Sequence, residues 1–417
     1  MENPILAMIP SGYNAADAKL YSILPSDGSG DFTVSVDADA TRINKEGLIE
    51  GVALNQARLT YNPLNTECPS LLLEPTVTNL QVYSQQFDNA AWLAIQSTIT
   101  ADNTISPSGE LNADKLQRTS TSSSFVLDTI SKATVAKTYT TSIFVKKGEG
   151  DFFAIRATGS FPSRVDLRFQ FSTKQIIQYV ASSSFTALNS NVEELKNGWF
   201  RISMTYTTDT AAGLTNYFSS RSSSGVIDST DINANANCFL WGCQVQENSY
   251  VTSYVPTVNS VTTRTFDVCK DAGNAALFNI SEGTFFVDVT PFKESNFQRI
   301  TLSDGTTNNE IIFLFRDDNS TVRTISETSG VGQFDNTQSI TFDTRNKLAL
   351  TFKNNEFKLY INGILKITQT IGTVSLGLNV LNFAGNNGTF SFFQGEVHDT
   401  RVYDRVLTEA EAIKLTT

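Results

Sequence analysis

Histidine is almost missing from this chain: His398 is the only one in 417 residues, and methionine and tryptophan occur three times each. A single histidine confines any Ser-His-Asp relay to His398, and no Gly-x-Ser-x-Gly elbow is present to place a serine nucleophile. Its neighbours Val397 and Asp399 lie in a strand that the fold itself requires, so a structural His398 is expected. Cysteine is scarce too. Cys68, Cys238, Cys243 and Cys269 are too few and too scattered for a disulfide scaffold or a zinc site. Five apart on one strand, Cys238 and Cys243 should point to opposite faces, and buried free thiols are expected. Cys68 and Cys269 bracket the middle of the chain and stand as the alternative pairing. No stretch approaches the ~20 consecutive apolar residues of a membrane span, and MENPILAMIPSGYN lacks a basic segment followed by a long apolar one. Folding in the cytoplasm without membrane insertion is the expectation. Positive charge is in deficit, 31 Lys and Arg against 42 Asp and Glu for a net charge of -11, which argues against nucleic acid as a partner.

What the chain has in quantity is phenylalanine, 29 residues, and tyrosine, 12, among many Thr and Ser. These residues favour pleated, half-buried surfaces over helices, so the expected class is all-β. The length exceeds what one hydrophobic core usually organises, and two or three domains are expected.

Three segments differ in texture. Residues 1–75 carry many breakers, Pro10-Ser11-Gly12, Pro25-Ser26-Asp27-Gly28-Ser29-Gly30, Asn62-Pro63 and Cys68-Pro69, around short strands at Asp31–Val36 and Gly47–Val52. Such an arm cannot bury much alone and should pack on another domain or another subunit. In residues 76–266, Thr138–Lys146 alternates with Tyr139, Thr141, Ile143 and Val145 on one face and a wet opposite face. Val165–Phe171 sends Val165, Leu167, Phe169 and Phe171 inward, and Phe200–Tyr206 sends Ile202, Met204 and Tyr206 inward. Phe239–Val245 should place Phe239, Trp241, Cys243 and Val245 together. The pattern predicts an antiparallel sandwich. In residues 267–417, strands are predicted at Glu310–Arg316, Lys347–Lys353, Phe357–Ile361, Val374–Asn382, and Phe390–Phe393 through Val402, with hairpin turns at Asn354-Asn355 and Asn362-Gly363. The one predicted helix is Leu407–Leu415, with Thr408 and Glu411 as a capping box and Leu407 stapled onto Ala412 or Ile413. Val397 and Val402 fall on opposite pleats, so burial of both requires a bulge or bend within His398–Arg401.

The third segment resembles the laminin-G-like, concanavalin-A-like jelly roll. The resemblance rests on LALTF, on Tyr360-x-Asn362-Gly363, on Gln394-Gly-Glu-Val-x-Asp-x-Arg-Val-Tyr403, and on the Leu-Thr-x-x-Glu helix. The middle segment resembles a sandwich module of tailed-phage virion proteins related to carbohydrate-binding modules. Its marks are Thr78-Asn79-Leu80, Tyr83-Ser84-Gln85, Phe87-Asp88-Asn89-Ala90-Ala91-Trp92, Asn197-Gly198-Trp199-Phe200-Arg201-Ile202-Ser203, Trp241-Gly242-Cys243-Gln244, Thr252–Thr257 and Thr263-Arg264. The arm is similar to the same proteins' N-terminal region at Ala40–Asn44, Gly47–Glu50, Ala57–Tyr61 and Leu72–Pro75. What the resemblance implies is a virion fibre or decoration, assembled in the host cytoplasm.

The organisation expected is therefore an N-terminal arm, residues 1–75, for virion anchoring and oligomerisation. Two tandem antiparallel β-sandwiches, 76–266 and 267–417, follow it, with a short C-terminal helix. Weak glycan contact is the expected task, a homotrimer the expected assembly and other virion proteins the expected partners of the arm. Of the tryptophans, Trp199 and Trp241 sit in strand patterns and belong to a core. Trp92 is loosely placed and is the candidate sugar contact. No catalytic residue is expected, because Glu396 and Asp399, three apart on a strand, should face opposite ways and no strand carries alternating carboxylates. No cofactor is expected. Asp304-Gly305 and Asp317-Asp318-Asn319 offer oxygen ligands to Ca²⁺, but they lack EF-hand spacing and suit hairpin turns better.

Overall fold

The computed structural model describes residues 3–10, 15–16, 18–278, 280–293, 297–385 and 387–417; Ser11 and Gly12, two of the expected breakers, lie outside the described residues. The fold is all-β with one short helix, Glu409–Thr416, at the C-terminal end. Thr408 caps that helix, its hydroxyl accepting from the Glu411 N–H while the Glu411 carboxylate accepts from the Thr408 N–H, and Leu407 is buried with Ala412 as the staple requires.

Two six-stranded antiparallel sheets form the middle sandwich. One is ordered Leu93–Ile95, Phe125–Ser131, Gly213–Arg221, Phe152–Thr158, Arg164–Gln170, Gln175–Ser182. The other runs Ser97–Ile105, Leu111–Arg118, Asn237–Gln246, Thr138–Lys147, Trp199–Thr207, Thr186–Glu194. Val165, Leu167, Phe169, Phe171, Ile202, Met204 and Tyr206 all enter the core between them, as their alternation requires. The strand Thr138–Lys147 has no wet face: Tyr139 through Val145 are all buried. It is one of the two central strands of its sheet, and the outer side chain of Phe144 packs under Trp241 and Tyr254, in a second core that also takes Ile49 of the arm.

The expected face of Phe239–Val245 is corrected by a bulge. Gly242 has φ +60, and Gly242 and Cys243 together stand opposite Ile143, between the pairs Ser142↔Gln244 and Phe144↔Trp241. The extra residue shifts the alternation by one. Cys238, Leu240, Cys243 and Val245 therefore face the sandwich core, while Trp241 and Phe239 join the second core. For the same reason the two thiols share a face instead of opposing each other. All four cysteines are free: Cys269 is buried in the C-terminal core and Cys68 is exposed.

The arm does not stand apart. Leu6–Met8 and Ser70–Leu73 both pair with Gly395–Tyr403, which places them in the larger sheet of the C-terminal sandwich beside Gly283–Pro291, Asn346–Lys353, Glu356–Ile361 and Ile364–Gln369. The facing sheet is ordered Val331–Ser339, Thr321–Thr328, Glu310–Arg316, Phe297–Ser303, Val380–Asn382. Leu6, Met8, Phe32, Val34, Leu71 and Leu73 are buried in one core with Phe285, Phe313 and Val402. Within the chain, the arm thus packs on the C-terminal sandwich and, through Ile49, on the middle one. The middle sandwich is inserted into this unit, and its two ends leave together through the pair Val77–Asn79 and Thr262–Arg264.

In the C-terminal half, Asn355, Asn362 and Gly363 take φ of 62, 49 and 77, the conformation their hairpin turns demand. The strand expected at Val374–Asn382 is shorter, Val380–Asn382, because the segment before it turns through Gly372 and Gly377 at positive φ. Phe390–Phe393 is likewise not a strand, and the closing strand begins at Gly395. The expected bulge is present at His398, where the register jumps from Asp288↔Asp399 to Val289↔Val397, and Val397 and Val402 are both buried.

Candidate functional site

Trp92, the sequence candidate for a sugar contact, is 5% exposed. Its ring packs at 4.7 Å from Phe87 and 5.9 Å from Phe218, and its indole N–H donates to the Tyr83 carbonyl at 3.1 Å. With its ring in the core and its one polar atom satisfied, Trp92 offers no face for stacking, and the expectation is corrected. Trp199 and Trp241 are buried as expected, though in the core between sandwich and arm.

The His398 bulge also overturns the expected geometry of the closing strand. Val397 points inward, and the inserted residue returns Asp399 to the outer face that Glu396 already occupies. Asp399 is paired with Arg401 at 2.6 Å. His398 Nε2 lies 3.0 Å from the Thr290 hydroxyl, and burial, aided by Arg345, holds the imidazole down to about 4, so it is neutral at physiological pH. In the turns, Asp304 Oδ1 accepts from the Thr306 N–H and hydroxyl at 2.8 and 2.6 Å, and its Oδ2 accepts from Asn309 at 2.9 Å. Among the described residues no three His, Cys, Asp or Glu side chains gather as a metal site.

Sequence motifs far apart converge at the neck instead. Arg58 and Glu74 of the arm meet Ser253, Arg264 and Asp267 of the exit from the middle sandwich. Arg58 Nη1 donates to Glu74 at 2.7 Å and to the Ser253 hydroxyl at 2.9 Å, and Arg58 Nη2 donates to Asp267. Arg264 Nη1 donates to Glu74 at 2.5 Å and to Ser253 at 2.7 Å, and its Nη2 reaches the Pro75 carbonyl at 2.7 Å. All four charged side chains are buried. Burial alone would raise the Glu74 carboxyl, but Arg264, Arg58 and the Ser253 hydrogen bonds outweigh it and hold the group ionised far below the usual carboxylate range.

Beside this node lies a cavity of about 290 Å³, walled by the arm, the middle sandwich, the exit segment and the C-terminal sandwich. Glu193 and Arg201 are cross-strand partners on its middle-sandwich wall, and Glu396 comes from the closing strand of the C-terminal sandwich. Arg201 is buried. Its guanidinium lies 5.0 Å over the Phe144 ring and gives one hydrogen bond, to Ser142 Oγ at 3.0 Å, while its Nε has no partner. Glu396 Oε2 accepts from Ser70 at 2.9 Å. Glu193 makes no hydrogen bond among the described residues. Burial pushes both carboxyls up; Arg201 pulls Glu193 back, and Glu193 itself adds to the rise of Glu396. Half-buried Tyr61 and Phe292 supply aromatic wall, and exposed Asn62 stands at the rim. This arrangement can accept and donate several hydrogen bonds to a small polar ring held against apolar surface. Sequence inspection missed it because its parts come from four separated segments. The only available signal was that Arg58, Glu74, Arg201 and Arg264 are charged residues inside otherwise apolar or small-residue motifs.

A family model described as the Concanavalin A-like lectin/glucanases superfamily matches residues 271–412. No curated protein matches the chain. Among solved structures, the CBM40 of Ruminococcus gnavus IT-sialidase bound to α2,3-sialyllactose is 19% identical, over 36% of this chain and 94% of that one, with a TM-score of 0.31. Domain 4 of AbnA, a GH43 extracellular arabinanase from Geobacillus stearothermophilus, in complex with arabinotriose, is 17% identical over 41% of this chain and 84% of that one, with a TM-score of 0.31. The galectin LEC-6 of Caenorhabditis elegans is 16% identical over 30% of this chain and 84% of that one, with a TM-score of 0.23.

Proposed function

We propose that the chain is a structural protein of a tailed-phage virion, a head or tail fibre or decoration, that displays lectin-like sandwiches for weak, multivalent contact with glycans on a host or environmental surface. The observation that carries the glycan part is the match of residues 271–412 to the Concanavalin A-like lectin/glucanases superfamily. The virion part rests on the ordered motifs of the arm and middle segment. A homotrimer supplies the multivalency, since individually weak contacts gain by effective concentration once linked. Arm residues such as Leu54 and Leu64, 60% and 56% exposed, are the proposed surface toward other virion proteins. The chain acts without catalysis or cofactor.

The test is a glycan array probed with the full chain, paired with adsorption of particles that lack it. Binding on the array and slowed adsorption are expected. An unbound array with normal adsorption would leave a spacer. One observation favours a second reading, hydrolysis: Glu193 and Glu396 share one cavity, and both are held above the ordinary carboxylate range. Release of reducing ends from polysaccharide by the purified chain would put that reading in place of binding.

A further inference from the structure

We infer that the cavity at the junction of arm, neck and sandwiches is a binding site for one sugar-sized polyol without negative charge, a neutral hexose or an amino sugar. This rests on the glycan-binding reading and adds to it a place and a charge preference.

The cavity, about 290 Å³, is near the lower end of small-ligand sites, which run from roughly 300 Å³ upward, so it suits a single ring and not a chain of rings. Its polar groups are left incomplete by the protein. Arg201 is buried, yet one nitrogen has no acceptor and only Ser142 takes a hydrogen bond from the rest of its guanidinium. Glu193, its cross-strand partner, has no donor among the described residues, and Glu396 has Ser70 on one oxygen. Buried polar groups are almost always satisfied, so buried Arg201 calls for an acceptor the protein does not supply, while the half-buried carboxyls of Glu193 and Glu396 stand open to a donor. Adjacent ring hydroxyls match that need, because each both donates to a carboxylate and accepts from a guanidinium. Tyr61 and Phe292 provide apolar wall for the ring's C–H face.

Charge sets the selectivity. Glu74 and Arg42 also line the cavity, but Glu74 is consumed by Arg58, Arg264 and Ser253, and Arg42 is held by Glu50 at 2.8 Å. What remains toward a ligand is two carboxylates against one guanidinium. An acidic sugar would bring a third negative group into that space, whereas an amino sugar would offset the excess.

Because the walls come from every part of the chain, the experiment uses the whole protein. Galactose, glucosamine and N-acetylneuraminic acid are titrated by ligand-observed NMR into wild type, Glu193→Gln, Glu396→Gln and the double variant, with thermal unfolding as a check on each fold. Glu193→Gln removes the charge opposite buried Arg201, so where thermal unfolding shows that variant destabilised, Glu396→Gln carries the test. Expected are binding of galactose and glucosamine, none of N-acetylneuraminic acid, and a loss of about ten-fold for each substitution, the usual worth of a charged hydrogen bond. Unchanged affinity in the double variant, or N-acetylneuraminic acid binding as well as galactose, overturns the site. So does a wild type that takes none of the three sugars, and the glycan array then decides the wider reading: a bound array leaves glycan binding standing elsewhere on the chain, and an unbound one removes both.

Discussion

Glu310 sits at the start of an inner strand of the C-terminal sandwich, directly opposite Glu327, with its Oε2 buried and without a hydrogen-bond partner. Burial, and then repulsion from Glu327, push its carboxyl up to about 7. The folded state therefore holds a proton that the unfolded chain releases near 4.5, and stability falls as pH rises from about 4.5 to about 7. Glu310→Gln should raise the unfolding free energy at pH 8 by roughly 2–3 kcal/mol and leave it nearly unchanged at pH 4. Urea unfolding at both pH values checks this, and equal gains at both would contradict it. His398 works in the opposite direction. Its imidazole is lowered from 6.5 to about 4, so the unfolded chain binds the proton first and stability is lost as pH drops through that window. Residue identity thus gives the fold a bounded pH range, with Asp114, raised by burial to about 6, on the same side as Glu310.

At the scale of elements, the neck pair Val77–Asn79 and Thr262–Arg264 is short, and its three paired positions would not hold two sandwiches in place. The second core around Trp199 and Trp241 and the buried ions add to it. Removing one partner of such a network leaves an uncompensated charge in the interior, so Arg264→Ala should cost about 3–5 kcal/mol, far more than an exposed arginine would. Denaturant unfolding of wild type and variant measures it; a loss under about 1 kcal/mol would show that the ions do not bear on stability. Elements with a strong local signal were legible in sequence: the capped helix, the Asn362-Gly363 hairpin, the inward faces of Val165–Phe171 and Phe200–Tyr206, and the bulge near His398. Those that failed did so at glycine or through distant covering. Gly242 shifted the phase of its strand, and a Cβ there would lie 2.8 Å from the Phe144 ring, so the glycine is the signal that alternation breaks. Thr138–Lys147 lost its wet face to residues distant in sequence, among them Ile49, Trp241 and Tyr254, which periodicity does not register. Trp92 was misplaced because Phe87 and Phe218, which cover it, come from a loop and a remote strand.

For the whole molecule, the arm and the C-terminal sandwich share one core, the middle sandwich is inserted between them, and all parts meet at the neck. A sugar site at the neck would make binding a property of the assembled chain, with neither sandwich sufficient alone. The same place holds the ion node and the side chains of Arg201, Glu193 and Glu396, so rigidity and recognition would coincide there. The most direct measurement is a crystallographic difference map of the full chain soaked with glucosamine. The account predicts one ring in the neck cavity, bonded to Glu193, Glu396 and Arg201. A ring on the outer face of either sandwich, with the cavity empty, would contradict it.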